Sequence, residues 1–153
     1  MAAAGTPPVV QLVHRPADGR GERVLADRAE VAESFLAQAR GLMFRRSIPE
    51  GYGLVFPFGE AASRSLHMVC VPFAIDAVWL VDGEVCGVDR LRPWVGLARA
   101  RADTVVELPA GAADGVEEGD RVERRESAGR ADADEGHDQP SRRVSGASPE
   151  PAE

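Results

Sequence analysis

The chain has 153 residues, of which 44% are hydrophobic and only 5% aromatic, and it carries a formal net charge of -7. This length fits one domain with an aliphatic core and excludes two full-size domains. The net negative charge disfavours general nucleic-acid binding, which requires a basic surface that releases counterions from phosphates.

All 18 positive charges are arginine, because the chain contains no lysine. An acidic, lysine-free composition is typical of a GC-rich genome or of a salt-adapted, haloarchaeal protein. No window approaches the roughly 18 uninterrupted apolar residues of a membrane helix. Met1–Val13 also lacks the basic and apolar segments of a signal peptide, so we expect a cytoplasmic protein that does not bind membranes.

The composition changes near the end of the chain. Residues 126–153 contain seven acidic residues against three arginines, a net charge of -4, and their only large apolar residue is Val144. A segment with so little to bury cannot offset its ordering entropy. We therefore predict a disordered leader over residues 1–8, a single domain over 9–125 and a disordered acidic tail over 126–153.

The alternation of apolar and polar residues within the domain predicts about eight short strands. Turn residues between them, such as Asp82–Gly83 and Pro109–Gly111, mark the strand ends. The predicted strands are Val9–His14, Arg23–Ala26, Leu54–Phe58, Arg64–Val71, Ile75–Val81, Glu84–Asp89, Thr104–Leu108 and Arg121–Arg124.

The first two strands flank a turn-rich segment and predict a hairpin. Apolar residues at helical spacing predict one amphipathic helix from near Glu30 or Ser34 to Gly41, where the glycine ends it. Ala77–Val81 is apolar on both faces, which indicates a central strand. We therefore predict a mainly β (α+β) fold, a compact barrel-like or half-barrel domain of short strands with one packed α-helix.

Six segments in order resemble the landmarks of domain of unknown function 192 over about residues 24–123. They are Gly41–Arg45, Gly53–Phe58, Leu66–Met68, Phe73–Asp76, Val106–Gly111 and Gly119–Val122. The resemblance implies a compact β-rich domain that occurs in bacteria and archaea, and it implies no established activity. Where the family typically reads Phe-Trp-Met-Lys-Asn-Thr, this chain reads Leu66–Val71 as Leu-His-Met-Val-Cys-Val, so any ligand contact of those Trp, Lys, Asn and Thr side chains is altered here.

Five residues are candidates for a ligand-binding site, because they are polar or aromatic residues within or beside apolar runs: Arg45, His67, Asp76, Trp94 and Glu107. A carboxylate in an apolar strand needs a partner when it is buried, and Arg45 or Arg64 could supply a planar guanidinium. We predict a pair between Arg45 and Asp76. The pair could be purely structural, could line a ligand pocket, or could serve catalysis.

Two further chemistries are weighed and not favoured. His67, Cys70 and Cys86, with Asp76 or Asp89, could hold zinc, but positions 67 and 70 of a regular strand point to opposite faces. Ser65 and His67 share a strand face, yet no nucleophile elbow and no phosphate-binding glycine loop is present. We therefore expect no metal, no cofactor and two reduced cysteines.

The segment Arg90–Arg101 places four arginines around Trp94. It is predicted to be a loop that either receives an anion or a base, or lets Trp94 and Leu97 cover the end of the sheet. The acidic surroundings favour the second reading.

The sequence predicts a monomeric, non-catalytic binding module for a small molecule or a protein partner. The alternatives are a hydrolase-like enzyme of unknown reaction that uses Asp76, His67 and Arg45, and a purely structural scaffold. An enzyme would need a group with a shifted pKa beside a reactive position, whereas a binding module needs only complementarity.

Overall fold

The computed structural model describes residues 8–32 and 41–127. Seven strands make up its regular structure, and none of the described residues forms a helix. No helix long and apolar enough to cross a membrane occurs in these ranges. The strands are β1 (Val9–Arg15), β2 (Arg23–Val31), β3 (Tyr52–His67), β4 (Ile75–Val81), β5 (Glu84–Leu91), β6 (Leu97–Pro109) and β7 (Arg121–Glu126).

The strands form one sheet that closes into a ring in the order β1-β2-β3-β6-β4-β5-β7, with β7 returning to β1. Strands β1 and β2 are the predicted hairpin, with Val9 opposite Glu30 and His14 opposite Arg23. Only the β2–β3 pair is parallel among the described strand pairs. The prediction of a mainly β fold is confirmed.

The core consists of two clusters, one on each face of the sheet. The first cluster takes residues from all seven strands, among them Leu12, Val55 and Val106, and fills the inside of the ring. The second covers the opposite face of β3, β4 and β6, where Trp79 is completely buried. Fully burying one large apolar side chain contributes about 1.5 to 3 kcal/mol.

Strand β4 contributes to both clusters, because it lies between β5 and β6 and alternates its side chains between the faces. The prediction that Ala77–Val81 is a central strand is therefore confirmed.

The structure joins two predicted strands into one. Leu54–Phe58 and Arg64–Val71 were expected to be separate, but β3 runs without interruption from Tyr52 to His67. A bulge replaces the predicted break, since Pro57 lies opposite Thr104 whereas Ala62 lies opposite Ala102. The extra residues of β3 at the bulge let both halves of the strand pair with β6.

The predicted helix falls almost entirely on residues 33–40, outside the described residues. Its earlier possible start is wrong, because Glu30 and Val31 belong to β2. Leu42, just after this segment, is buried in the second cluster. The predicted leader and tail also lie outside the described residues, apart from Pro8, Glu126 and Ser127.

Candidate functional site

A cavity of about 150 Å³ lies over the outer face of β3, β4 and β6. Two of the five sequence-predicted site residues, His67 and Glu107, line it. The remaining lining residues come from the segment before β3, from the ends of β3 and β4 and from the turn after β3: Gly41, Leu42, Met43, Ser65, Leu66, Met68, Val71 and Ile75. The cavity therefore combines apolar walls with a few polar groups, as ligand sites do.

Glu107 occupies the most unusual position in this cavity. On β6 it lies opposite Leu54 of β3 and Ala77 of β4, so an apolar cluster surrounds a side chain that is 97% shielded from solvent. Among the described residues, none forms a hydrogen bond with its Oε2 atom. A buried polar atom without a partner is costly, and native proteins contain few of them.

The electrostatics of Glu107 follow from this burial. Removal from water raises the pKa of its carboxyl group from 4.5 to about 8, although the nearby Arg45 guanidinium lowers it. The group is therefore mainly protonated and uncharged at neutral pH. A protonated carboxyl group can donate a hydrogen bond, which an ionised one cannot.

Arg45 lies beside this site but does not pair with Asp76, so the predicted pair is wrong. Its guanidinium lies 3.6 Å from the Glu30 carboxylate and 5.1 Å from the centre of the Tyr52 ring. The Tyr52 hydroxyl donates a hydrogen bond to Glu30 at 3.2 Å, and burial raises the pKa of Tyr52 to about 12. Arg45 thus belongs to a cluster at the junction of β2 and β3.

Asp76 lies on the other face of the sheet, where four donors surround it. Arg90 on the neighbouring strand donates from Nε at 2.7 Å and from Nη2 at 3.2 Å. The backbone N–H groups of Gly111 and Ala113 donate to Oδ2 at 2.8 and 3.1 Å. The carboxylate therefore joins β4, β5 and the turn after β6. This is the purely structural role that was one of the predicted alternatives, with Arg90 as the partner in place of Arg45.

Trp94 is 58% exposed and is not among the residues that line the cavity. The predicted loop around it is shorter than expected, because β5 extends to Leu91 and β6 begins at Leu97. Strand pairing with β3 extends β6 at this end, with Leu97 opposite His67.

The described residues contain no group of three or more His, Cys, Asp or Glu side chains close enough to hold a metal ion. Both cysteines are free thiols. The Cys86 thiol donates to the backbone carbonyls of Trp79 and Arg101, and burial raises its pKa.

Sequence reasoning missed a buried pair on the opposite side of the ring. His14 Nε2 lies 2.7 Å from Asp120 Oδ2, and the N–H groups of Ala17 and Glu117 also donate to this carboxylate. Burial alone would raise the pKa of Asp120, but these hydrogen bonds lower it to about 2. The sequence marked only one member of this pair. Asp120 lies in the Gly119–Val122 landmark, whereas His14 is the last residue of an apolar predicted strand and no motif contains it.

Three comparisons relate the chain to other proteins. The family model of domain of unknown function 192 (DUF192), described as an uncharacterised ACR, matches residues 16–124. A UPF0127 protein of Thermococcus sibiricus is 31% identical over 107 residues, which cover 66% of this chain and 68% of that protein.

Two solved structures are similar in fold. A protein of Sinorhizobium meliloti, described as "a putative transcription regulator", has a TM-score of 0.70 at 25% identity, covering 80% of this chain and 98% of that one. A protein of unknown function from Novosphingobium aromaticivorans has a TM-score of 0.65 at 24% identity, covering 75% and 84%. The second likeness concerns the fold alone.

Proposed function

The chain belongs to the DUF192 family, and from this premise we propose that it is a non-catalytic binding module that holds one small, uncharged ligand beside Glu107. The observation that carries the proposal is the Glu107 carboxyl group itself. It is buried on the wall of a cavity, and its Oε2 atom has no hydrogen-bond partner among the described residues. A ligand atom in the cavity would supply the missing partner.

The charge of the site selects the ligand class. Because the pKa of Glu107 is about 8, the group offers a neutral O–H donor at pH 7, which suits a carbonyl, ether or hydroxyl oxygen. A cationic ligand would have to approach the Arg45 guanidinium while Glu107 is uncharged, and a carboxylate ligand would have to leave water for apolar walls. An uncharged molecule with one acceptor oxygen and an apolar body avoids both costs.

The size of the cavity limits the ligand further. A cavity of about 150 Å³ holds a molecule of about the size of benzene. Leu42, Met68 and Ile75 would pack against the apolar part of such a ligand. His67, at the paired end of β3, supplies a polar group on the lining and stands where the family typically has Trp.

We favour binding over catalysis because the described residues that line the cavity include no activated nucleophile. Ser65 and His67 both line it, but within the described ranges no hydrogen bond joins them, and no third group orients the imidazole for a reaction. Hydrolase-like chemistry needs a nucleophile within hydrogen-bond reach of a base. Glu107 is sufficient as a hydrogen-bonding group for a bound ligand, and by itself it does not indicate a reaction.

The Sinorhizobium meliloti protein's description as a regulator raises DNA binding as a second candidate. The net charge of -7 disfavours direct contact with a phosphate backbone. A module that senses a small ligand is compatible with that description and needs no DNA contact by this chain.

The test is a fragment screen read by nuclear magnetic resonance. Small neutral ketones, alcohols and amides are compared with amines and carboxylates of equal size, using the native protein and the Glu107→Leu variant. We expect neutral oxygen acceptors to shift the resonances of Glu107, His67 and Met68, and Glu107→Leu to abolish the shifts. Glu84→Gln, a change at an exposed carboxylate, is the control. Preferential binding of amines, or undiminished binding by Glu107→Leu, would contradict the proposal.

A further inference from the structure

Three turns at one end of the molecule are joined to one another by backbone hydrogen bonds. The Phe44 N–H donates to the Cys70 carbonyl at 2.9 Å, and the Trp94 N–H donates to the Val71 carbonyl at 3.0 Å. The Met68 N–H donates to the Gly96 carbonyl at 2.9 Å. We call the outer surface of residues 41–46, 68–71 and 92–99 the three-turn patch.

Three residues of the three-turn patch adopt a backbone conformation that side chains other than glycine rarely take. Phe44, Cys70 and Trp94 have φ values of 65°, 61° and 66°. Gly96 is needed as glycine, because a Cβ atom there would lie 2.7 Å from the Arg92 carbonyl oxygen and 2.6 Å from Met68. Residues held in this conformation are strained, and such strain clusters at binding sites.

The three-turn patch exposes large apolar side chains that the fold does not use. They range from 53% exposed for Val69 to 78% for Val95. The others are Phe44, Trp94 and Leu97. Single exposed apolar residues need no explanation, but five of them on segments that are hydrogen-bonded to one another indicate an interaction surface.

The charge of the same region is opposite to that of the whole chain. Residues 41–46, 68–71 and 92–99 contain four arginines and no Asp or Glu, in a chain of net charge -7. Arg45 faces Glu30. In the part of the chain that the structure describes, the other exposed arginines of the patch (Arg46, Arg92 and Arg99) form no ion pair within 4.0 Å.

We propose that the three-turn patch docks a protein segment that combines acidic residues with large apolar ones. Its carboxylates would pair with Arg46, Arg92 and Arg99, and its apolar side chains would cover Trp94 and Leu97. Aromatic residues and arginine are enriched at the centres of protein interfaces, whereas Lys, Asp and Glu are depleted there. The patch has this composition.

The charge pattern disfavours the other occupants. A second copy that used the same patch would place arginines against arginines. A single-stranded nucleic acid needs a series of rings to stack on, and the patch offers only Phe44 and Trp94, since Val69, Val95 and Leu97 have no ring. A polyanion or an anionic bilayer would extend past the patch and be repelled by the acidic remainder of the surface. A short acidic segment avoids this repulsion because it stays within about one Debye length, roughly 8 to 10 Å, of the patch.

The first experiment selects binders from a displayed library of random peptides on the immobilised full chain. We expect the enriched peptides to combine Asp or Glu with Trp, Phe or Leu, and their affinity to fall with rising salt. Two double variants test the patch: Trp94→Ser with Leu97→Ser, and Arg92→Glu with Arg99→Glu. Each should weaken binding at least about tenfold, as loss of an interface hot spot does.

Matched controls use the same kinds of substitution away from the patch. Val24→Ser removes an exposed apolar side chain where β2 pairs with Val13 of β1, and Arg124→Glu reverses an exposed charge on β7, which pairs with neither β3 nor β6. Both controls should bind the selected peptides like the native chain. Circular dichroism verifies that every variant is folded. Glu107→Leu should also bind the peptides normally, which separates this proposal from the ligand proposal.

Four results would overturn the proposal. One is the absence of peptides whose binding depends on the patch, and another is enrichment of peptides without acidic residues. Tighter binding of a single-stranded oligonucleotide or an anionic vesicle through Trp94 and Arg99 would assign the patch to that partner instead. A native dimer that Leu97→Ser dissociates would assign it to a second copy of the chain.

Discussion

Replacing Glu107 with glutamine should change how the stability of the protein depends on pH. Burial raises the pKa of this carboxyl group from 4.5 to about 8, even though the Arg45 guanidinium lowers it. Between these two values the folded protein keeps a proton that the unfolded chain has released. The free energy of unfolding therefore falls as pH rises through this window, at about 1.4 kcal/mol per pH unit.

The sign and size of the effect follow from this proton. Below pH 4.5 both states are protonated and Glu107 adds no pH dependence; above about pH 8 both are ionised and the loss is complete. Between about pH 5 and about pH 7 the native protein should lose about 2 to 3 kcal/mol through Glu107. Glutamine does not titrate, so Glu107→Gln should lack this component.

Urea unfolding of both proteins, followed by circular dichroism at several pH values, measures the difference directly. All other titrating groups are common to both proteins and cancel in it. The difference should grow in favour of the variant by about 2 to 3 kcal/mol from about pH 5 to about pH 7. Glu84→Gln, at an exposed position, should show no such growth.

The urea measurement is repeated with Glu107→Leu, because the leucine side chain, unlike the glutamine amide, needs no hydrogen-bond partner. If the difference from the native protein stays constant with pH for both variants, Glu107 is ionised and paired in the folded state. The reasoning on the ligand site would then fail.

Four other changes test the remaining structure. Asp76→Ala leaves the N–H groups of Gly111 and Ala113 without an acceptor, so the free energy of unfolding in urea should fall by about 2 to 4 kcal/mol. Arg90→Met should lower it less, because these two N–H groups stay bonded to Asp76. Asp120→Asn should make the protein less sensitive to acid. The pKa of Asp120 is lowered to about 2 in the folded state, so the native carboxylate loses its stabilising charge as pH falls from about 4 to about 2. Acid titration followed by circular dichroism measures this difference in sensitivity. Removal of residues 128–153 should leave the melting temperature unchanged, since β7 ends at Glu126; a drop of several degrees would contradict the predicted domain boundary.

The local part of the fold could be predicted from the sequence, because alternation and turn residues act over a few positions. Ile75–Val81 and the Asp82–Gly83 turn are correct in the structure. The bulge in β3 could not be predicted, since Pro57 and Gly59 look like a break unless the pairing with β6 is known. Register with a partner strand is a non-local property.

The candidate site could be predicted only in part, for the same reason. Burial of Asp76 and Glu107 follows from their place in apolar strands, and both are buried. Their partners do not follow, because Gly111 and Ala113 reach Asp76 from 35 and 37 residues away in the chain. The positive φ of Trp94, which leaves its side chain exposed, depends on hydrogen bonds to another turn.

The buried carboxylates Asp76 and Glu107 differ in their surroundings because the pleat of the sheet places them on opposite faces. Asp76 is paired in register with Leu108, and its neighbour Ala77 is paired with Glu107, so the two acids lie on adjacent strands within one residue of each other. Asp76 faces the inside of the ring and finds Arg90 and two backbone donors there. Glu107 faces the outer cavity, where the described residues leave Oε2 without a hydrogen bond. Because a fold gains nothing from a buried acid without a partner, the proposed ligand binding rests on Glu107, whereas stability alone accounts for Asp76.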